Sequence, residues 1–319
     1  MSIIGTLPNN IKNGDLEDAI TLMANFNWIV AQVNANSAPL AGALPGVTSI
    51  NGGPLAGTRN RLINGDLRVN QRVVTGTVTL AAGVYGHDRW KAGAGGCTYT
   101  FAASGNRTII TITAGTLIQV VEAPNIEGGV YRLSHLGTAQ ARFGVSGAAP
   151  SGSYAPANFV NALISSAATG GATLSIEFST GTLDSAQVEF GTVATPFEQR
   201  LVGEELYLCQ RYLPVWVIKT SYYQYSGQCF SATDGRVFLP SPAPTRVAPT
   251  NISLNPFGVI QISTSNGSLT GTGTLTFFSG STTGILVAAT GATGLVAGNS
   301  TMLAATATDS TIFGTGCEL

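Results

Sequence analysis

Short stretches in which apolar and polar residues alternate, punctuated by glycine-rich turns, recur throughout residues 60–200. Clear cases are residues 108–113 (TIITIT) and residues 173–178 (TLSIEF). Alternation with a period of two puts the apolar side chains on one face of a β-strand, and glycine tolerates the positive φ angles that tight turns require. Many short strands at this spacing predict an antiparallel β-sandwich. Residues 206–319 repeat the pattern and predict a second β domain.

The chain carries little charge, and this limits the partners that it can bind. Charged residues make up 10% of its 319 positions, against roughly 25% in ordinary globular proteins. Low charge favours stacked sheets and large subunit contacts, because a buried charge must first be desolvated. A formal net charge of −1 provides no basic surface for nucleic acid or anionic lipid, so we expect neither as a partner.

We expect neither a membrane-spanning segment nor disulfide bonds. The chain has no apolar run of about 18 residues, so we expect no membrane insertion. Its first residues lack the basic region and apolar core of a signal peptide. The four cysteines are widely spaced, which argues against a zinc site and a disulfide framework. We therefore expect free thiols, no metal, no cofactor, and assembly in a reducing cytoplasm. The four positions are Cys97, Cys209, Cys229 and Cys317.

The first 36 residues contain a predicted helix with one apolar stripe. Asp15 is a suitable N-cap residue for it. Apolar residues then follow at steps of three and four, which is the spacing of a coiled-coil seam. The predicted oligomer interface consists of Leu16, Met23, Phe26, Val30 and Val33. An amphipathic helix packed on its own domain fits the same spacing, so both interpretations stay open.

The predicted organisation has four parts. Residues 1–36 form the N-terminal segment with its helix, and residues 37–59, rich in proline, glycine and alanine, form an extended linker. Residues 60–203 form the β-sandwich and residues 204–319 the C-terminal β domain. A helix that such a linker separates from its domain must bury its stripe against another copy or another protein.

Three motifs carry a resemblance to a known group of proteins. They are NRLINGDLRVNQR at residues 60–72, DRW at residues 88–90, and VATPFEQRLVGEELYLCQRYL at residues 193–213. They resemble segments of phage tail-fibre and related virion proteins, in which a lectin-like β-sandwich ends in ATPFEQR and a GEEL-x-LCQRY link leads into a distal domain. The first 30 residues resemble N-terminal attachment segments of phage structural proteins.

This resemblance implies a jelly-roll-like sandwich in a virion protein that is a homotrimer. It also implies that the N-terminal segment attaches to other virion proteins and that residues 204–319 form the distal tip. Within the third motif, Thr195-Pro196 predicts the end of a strand, because proline cannot donate to a sheet ladder. Residues 204–212 suit either a short helical turn or an extended connector.

The sequence contains no recognisable catalytic constellation, and we expect no enzymatic activity and no catalytic residues. His87 and His135 are the only histidines. Glycan cleavage uses two carboxylates across the scissile bond, yet acids are sparse: Asp184 and Glu189 fall in one strand region, and Glu204-Glu205 in the connector. A glycan depolymerase remains the least favoured alternative, because a pair can also form in space or between subunits.

Two aromatic groups are candidate ligand contacts. Trp90 of the DRW motif would stack on a sugar ring if exposed, with Asp88 and Arg89 bonding its hydroxyl groups. The favoured alternative places Trp90 in the sandwich core and makes Asp88 and Arg89 an ion pair. The densest aromatic cluster provides the other candidates, with ordinary core packing as its alternative. That cluster consists of Trp216, Tyr222, Tyr223 and Tyr225.

The leading functional prediction is a non-enzymatic phage fibre or appendage protein located in the virion. Weak sites in several copies would bind host cell-surface polysaccharide by avidity. Any receptor contact is expected in the C-terminal domain, which would lie farthest from the particle. The alternative is a structural decoration, collar or head-fibre protein without receptor specificity.

Overall fold

The computed structural model describes residues 19–36, 58–192, 194–220, 224–255, 260–264, 274–291, 294–305 and 309–319. The described chain is mostly β, and its strands pair antiparallel, as the alternating pattern predicts. Two helices accompany the strands, α1 (Ala19–Asn36) and α2 (Val202–Gln210), with a 3-10 turn at Ala123–Asn125. None of the described helices is long and apolar enough to cross a membrane.

Eight strands form the first sheet. They are β1 (Val78–Leu80), β2 (Lys91–Ser104), β3 (Arg107–Val121), β4 (Tyr131–Leu136), β5 (Ala141–Gly144), β6 (Leu163–Ile164), β7 (Leu174–Phe178) and β8 (Gly181–Phe190). The main path runs β1-β2-β3-β8-β4-β6, while β7 pairs with both β3 and β5. Strand β3 therefore has two partners on one edge. Its residues 110–112 pair with β8 and its residues 117–121 pair with β7.

A glycine-rich bulge explains why β3 changes partner. The register between β2 and β3 shifts around Gly96 and Gly115, and a bulge bends a strand locally. Gly115 has a φ of 70°, and a Cβ atom there would lie 2.1 Å from the Gly96 carbonyl oxygen. Only glycine fits this close approach. The bend lets one long hairpin contribute to both branches of the sheet around a single core.

The second β region has two sheets. The six-stranded sheet has the order β13-β16-β10-β11-β15-β14, and the three-stranded sheet the order β12-β17-β9. The strands are β9 (Val215–Ile218), β10 (Gln224–Cys229), β11 (Asp234–Pro240), β12 (Asn251–Asn255), β13 (Ile260–Thr264), β14 (Thr274–Ser281), β15 (Gly284–Thr290), β16 (Ser300–Ala305) and β17 (Ser310–Thr315).

Buried apolar side chains gather in two clusters, one for each β region. The first includes Trp90, Tyr99, Tyr131 and Phe178. The second joins both sheets of the second region, with Trp216 and Ile312 from the three-stranded sheet and Val287 from the six-stranded one. Along β11 the burial alternates, with Val237 and Leu239 inside and the side chains between them outside. The alternation of buried and exposed side chains thus gives the sheet an inner and an outer face.

The chain separates into two compact units, Met1–Val47 and Thr48–Leu319. Both β regions belong to the second unit, and the predicted boundary between residues 203 and 204 stays a prediction. Helix α2 covers most of the predicted connector. The predicted strand end at Thr195-Pro196 is wrong, because β8 ends at Phe190. The start of the first helix at Asp15 and most of the predicted linker lie outside the described residues.

The last residues of the chain return to the first β region. Arg72 pairs with Glu318 at 2.5 Å, and Lys91 Nζ donates to a Leu319 oxygen at 2.6 Å. Arg246 of the second region donates to the carbonyl oxygens of Cys317 at 2.7 Å and Glu318 at 2.9 Å. Residues 317–319 therefore form a second connection between the two β regions, besides α2.

Candidate functional site

The three motifs that carry the resemblance meet in one buried junction. The Asn64 amide donates to Glu205 Oε1 at 3.0 Å, although the two residues are 141 positions apart. Arg200 Nη1 donates to the same carboxylate oxygen at 2.9 Å and to the Leu62 carbonyl oxygen at 3.0 Å. Trp90 Nε1 donates to the Asn64 carbonyl oxygen at 2.9 Å. The first motif is thereby bonded to both of the others.

Asn64 is the centre of this junction and is fully buried. Its φ of 58° lies in the left-handed region, which asparagine enters more readily than most residues. Its side chain donates to the carbonyl oxygens of Val69 at 2.8 Å and Asp88 at 3.0 Å, and accepts from the Val69 amide at 2.9 Å. These bonds satisfy the buried side-chain amide of Asn64 and fix the turn.

The predicted ion pair between Asp88 and Arg89 is wrong. Asp88 instead accepts two hydrogen bonds from Gln71, from the amide at 2.6 Å and from Nε2 at 2.7 Å. Arg89 has a φ of 71° and its guanidinium lies 3.6 Å from the centre of the Tyr212 ring. Both charged residues are almost completely buried, and burial raises the pKa of Asp88.

Helix α2 is fixed to the first region at its C-terminal end as well. Arg211 Nη2 donates to Glu122 Oε1 at 3.0 Å and the Tyr212 hydroxyl donates to Glu122 Oε2 at 2.9 Å. Burial alone would raise the pKa of Glu122, but the hydrogen bonds from Arg211 and Tyr212 lower it below its ordinary value. The motif residues therefore act as a structural junction within the chain.

Two of the predicted aromatic contacts, Trp90 and Trp216, lie inside the protein and not at its surface. Trp90 is 0% exposed and Trp216 is 2% exposed, and Trp216 Nε1 donates to the Pro240 carbonyl oxygen at 2.6 Å. Both rings fill the two cores, and neither has a face free for a ligand, which corrects the prediction for these two residues. Tyr225 is half-buried against the second core. Tyr222 and Tyr223 lie outside the described residues.

The acids of β8 are each paired with an arginine. Asp184 pairs with Arg107 at 3.0 Å and Glu189 with Arg59 at 3.1 Å, and Glu189 Oε1 also accepts from the Thr195 amide at 3.0 Å. Both carboxylates are buried. In the part of the chain that the structure describes, no group of three or more histidine, cysteine or acidic side chains is placed to hold a metal ion.

All four cysteines are buried free thiols. Burial raises the pKa of Cys97 and of Cys317 to about 11, and raises that of Cys209 well above its ordinary value. Because the thiolate is the reactive form, none of these three thiols is activated at neutral pH.

Two of the clefts that the described residues form lie on the first β region. The larger, of about 480 Å³, is mainly apolar, and its walls come from Leu136, Phe159 and residues 194–197. The smaller, of about 310 Å³, is more polar and is lined by Arg142 and residues 151–153 among others. Arg142 Nε pairs with Glu177 at 2.5 Å, so its charge is already compensated.

A surface that the sequence analysis missed lies on the outer side of the six-stranded sheet. The Arg236 guanidinium lies 4.1 Å from the ring centre of Phe230 and 4.0 Å from that of Phe278. Arg236 also pairs with Asp234 at 2.9 Å. The two rings and Phe238 are about half exposed. We call these five residues the Phe–Arg face.

The alternating sequence of β11 indicates that Arg236 and Phe238 point outward, but it does not reveal their neighbours. Phe230 follows β10 and Phe278 comes from β14, and only the sheet topology places them beside Arg236. Phe278 sits at a bulge where the pairing of β14 and β15 shifts. The face therefore has no continuous sequence signature.

The apolar stripe of α1 is exposed in the single chain. Met23, Phe26 and Val30 are each more than half exposed, and Val33 is 45% exposed. Leu16 lies outside the described residues. An exposed stripe of this kind is compatible with the predicted oligomer interface, which stays a prediction.

No protein-family model matches this chain, and no curated protein sequence matches it either. The resemblance to phage fibre proteins therefore depends on the three motifs, and their meeting in one junction is what the structure adds to it.

Proposed function

We propose that this chain is a non-enzymatic phage fibre or appendage protein, attached to the virion by its N-terminal segment and contributing to recognition of host-surface glycans. The observation that carries the proposal is the buried junction around Asn64 and Glu205. Three motifs found together in fibre-like proteins form one connected structural unit in this chain. The shared motifs thus have a common physical task, which is to attach a second β region to the first.

The proposed architecture of residues 60–203 is a jelly-roll-like β-sandwich. Its support is the branching of the first sheet at β3, where residues 110–112 and 117–121 lead into different sets of strands. Both sets contribute to one apolar core. Residues 204–319 would form the distal tip beyond this sandwich.

Attachment and copy number are proposed from the N-terminal segment. The exposed stripe of Met23, Phe26, Val30 and Val33 would pack against the same helix of neighbouring copies in a homotrimer, next to other virion proteins. Several copies on one scaffold would convert weak sites for host polysaccharide into tight attachment, because the second binding event becomes intramolecular.

One observation favours a second candidate function. Trp90 and Trp216, two of the aromatic residues suited to stacking on sugars, are buried. The burial of these two rings removes two of the predicted sugar contacts, which is compatible with a structural decoration or collar protein that binds no receptor. A glycan depolymerase is less favoured, because Asp184 and Glu189 are each paired with arginine.

The decisive experiment combines location with competition. Gold-labelled antibodies against the chain should mark the tail tip of the parent phage, and the purified chain should slow adsorption of that phage to its host. Label at the neck or capsid together with unchanged adsorption would establish decoration instead. Shortening of host polysaccharide by the pure chain would establish an enzyme.

A segment exchange then locates receptor binding. Replacing residues 206–319 by those of a related fibre with another host should transfer adsorption to that host, while replacing residues 60–200 should not. The opposite result would place the receptor site on the first β region.

A further inference from the structure

The six-stranded sheet is almost without charge. Within its strands as the structure describes them, Asp234 and Arg236 are the charged residues, and they pair with each other. The pair lies on the outer face, because Val237 and Leu239 point into the core. Exposed sheet faces normally carry polar and charged side chains. A neutral outer face that holds one self-compensated ion pair is unusual for a surface in contact with water.

Aromatic rings form a substantial part of the exposed surface of this face. The guanidinium of Arg236 is held between Phe230 and Phe278, at 4.1 and 4.0 Å from their ring centres. Phe238 lies over Gly284, since a Cβ atom at that glycine would be 2.4 Å from the Phe238 ring. The three rings are 48–53% exposed. They are fixed in place by the sheet beneath them, so they offer a preformed apolar surface.

Sheet register gives the surroundings of Arg236. Its neighbours across the sheet are Gln228 on β10 and Ala288 on β15, and Ser300 and Thr276 follow on the next strands. All four are uncharged, and small or amide side chains dominate. Ala288 is 5% exposed. The row therefore adds no charge that a partner would have to neutralise.

We infer that the Phe–Arg face packs against a second copy of this chain. Interface cores are enriched in aromatic residues, methionine and arginine and depleted of other charges, and Met302 on neighbouring β16 is also 43% exposed. Asp234 compensates Arg236 within each copy, so two identical faces meet without net repulsion. Contact between identical faces has two-fold symmetry, so it joins copies that belong to different homotrimers. This contact is additional to the one proposed for α1.

The size of the face suits such a contact. Six strands about 4.8 Å apart and about six residues long give roughly 29 by 20 Å, or about 580 Å² before side-chain relief is counted. Two such faces together come to about 1,160 Å², which exceeds the roughly 1,000 Å² in total that a specific interface should bury. Covering the face would also remove water from the Arg236 stack, and cation–π contacts strengthen when they are desolvated.

A glycan is the competing occupant, and the chemistry of the face favours it less. Phenylalanine rings present no hydrogen-bonding group, and Arg236 already donates through Nε and Nη2 to Asp234. A polyhydroxylated ligand would give up hydrogen bonds to water without equivalent replacements.

Site-specific cross-linking tests the inference in the full chain. The native cysteines are buried, so a cysteine introduced at Gln228, on the face, reacts against a low background. With a short bis-maleimide, Gln228→Cys should form covalent dimers at least tenfold faster than Val160→Cys, a control that is 84% exposed on the first region. Adding Phe278→Asp to Gln228→Cys should slow dimer formation at least tenfold.

Equal rates for Gln228→Cys and Val160→Cys, or no effect of Phe278→Asp, would overturn the inference. A face that is a glycan site would show cross-linking at the control rate, with loss of polysaccharide binding in Phe278→Asp. Far-ultraviolet circular dichroism checks that this variant is folded, and Phe238→Asp serves as a second variant on the same face.

Discussion

The two β regions of this chain are stabilised in different ways. Both have an apolar core, but the first is also held by buried polar side chains that connect distant segments, with Asn64, Glu205 and Arg200 at the centre. In the second, beyond residue 213 and apart from the contact of Glu318, the described residues contain two ion pairs, Lys219–Asp309 and Arg236–Asp234. Directed polar bonds define how one segment meets another. Alternating apolar strands define an inner face and leave the outer face free for a partner.

The largest effect is expected from breaking the polar junction. Glu205→Ala removes the nearer carboxylate of buried Arg200, at 2.9 Å, and leaves Glu198 at 3.9 Å. Removing one member of a buried pair costs about 3–5 kcal/mol. Thermal unfolding should occur at a clearly lower temperature than in the wild type. Asp309→Ala removes the exposed partner of Lys219 in the second region and should leave the melting temperature almost unchanged. Equal shifts in the two variants would contradict the comparison.

Acid should destabilise the first region before the second. Burial lowers the pKa of His87 from 6.5 to about 4. Between pH 6.5 and pH 4, His87 is therefore protonated in the unfolded chain but neutral in the folded one. Stability from this group is complete above pH 6.5 and is lost as the pH falls toward 4, on the order of 3 kcal/mol. The raised pKa values of Asp88 and Glu205 act in the opposite direction and reduce the net loss.

Hydrogen exchange at pH 4.5 and pH 7 measures this difference by region. Amides of residues 60–190 should lose more protection at the lower pH than those of residues 224–305, where the sequence has no histidine. His87→Gln should reduce the pH dependence and leave the part that comes from His135, whose pKa burial also lowers. Uniform loss of protection in the wild type would show that the two regions unfold as one.

A matched pair of glycines gives a smaller effect. Gly115 and Gly291 both have positive φ angles, at 70° and 84°, but only at Gly115 would a Cβ atom meet backbone, 2.1 Å from the Gly96 oxygen. Gly115→Ala should cost about 2 kcal/mol or more from strain and overpacking. Gly291→Ala, with open space around it, should cost about 1 kcal/mol. Urea unfolding measures both, and equal costs would show that the bulge relaxes.

The smallest effect concerns the thiols. Denatured, unreduced protein should react with about four equivalents of a thiol reagent, and native protein with far less than one. Because each β region contains buried cysteines, the reaction should be equally slow in both. A denatured count near zero would reveal disulfides and contradict the structure.

The strand-rich fold could be predicted because period-two alternation is a local property, and the alternative that places Trp90 in the core is confirmed. The hydrogen bonds of Asp88 could not be predicted from the sequence. Its partner Gln71 is 17 positions away, whereas the adjacent Arg89 is the obvious but wrong choice. Trp216 was named as a ligand contact since aromatic density does not reveal burial. The sequence does not reveal the Phe–Arg face because Phe230, which follows β10, Arg236 on β11 and Phe278 on β14 are brought together only by the sheet.

The return of residues 317–319 to the first region has a mechanical consequence. A force that pulls the two β regions apart would be resisted by two connections. One is α2, and the other consists of the contacts of Glu318 with Arg72 and of Leu319 with Lys91. Two attachment points prevent the free rotation between the regions that a single connector would allow. The second region is therefore held in a defined orientation relative to the first.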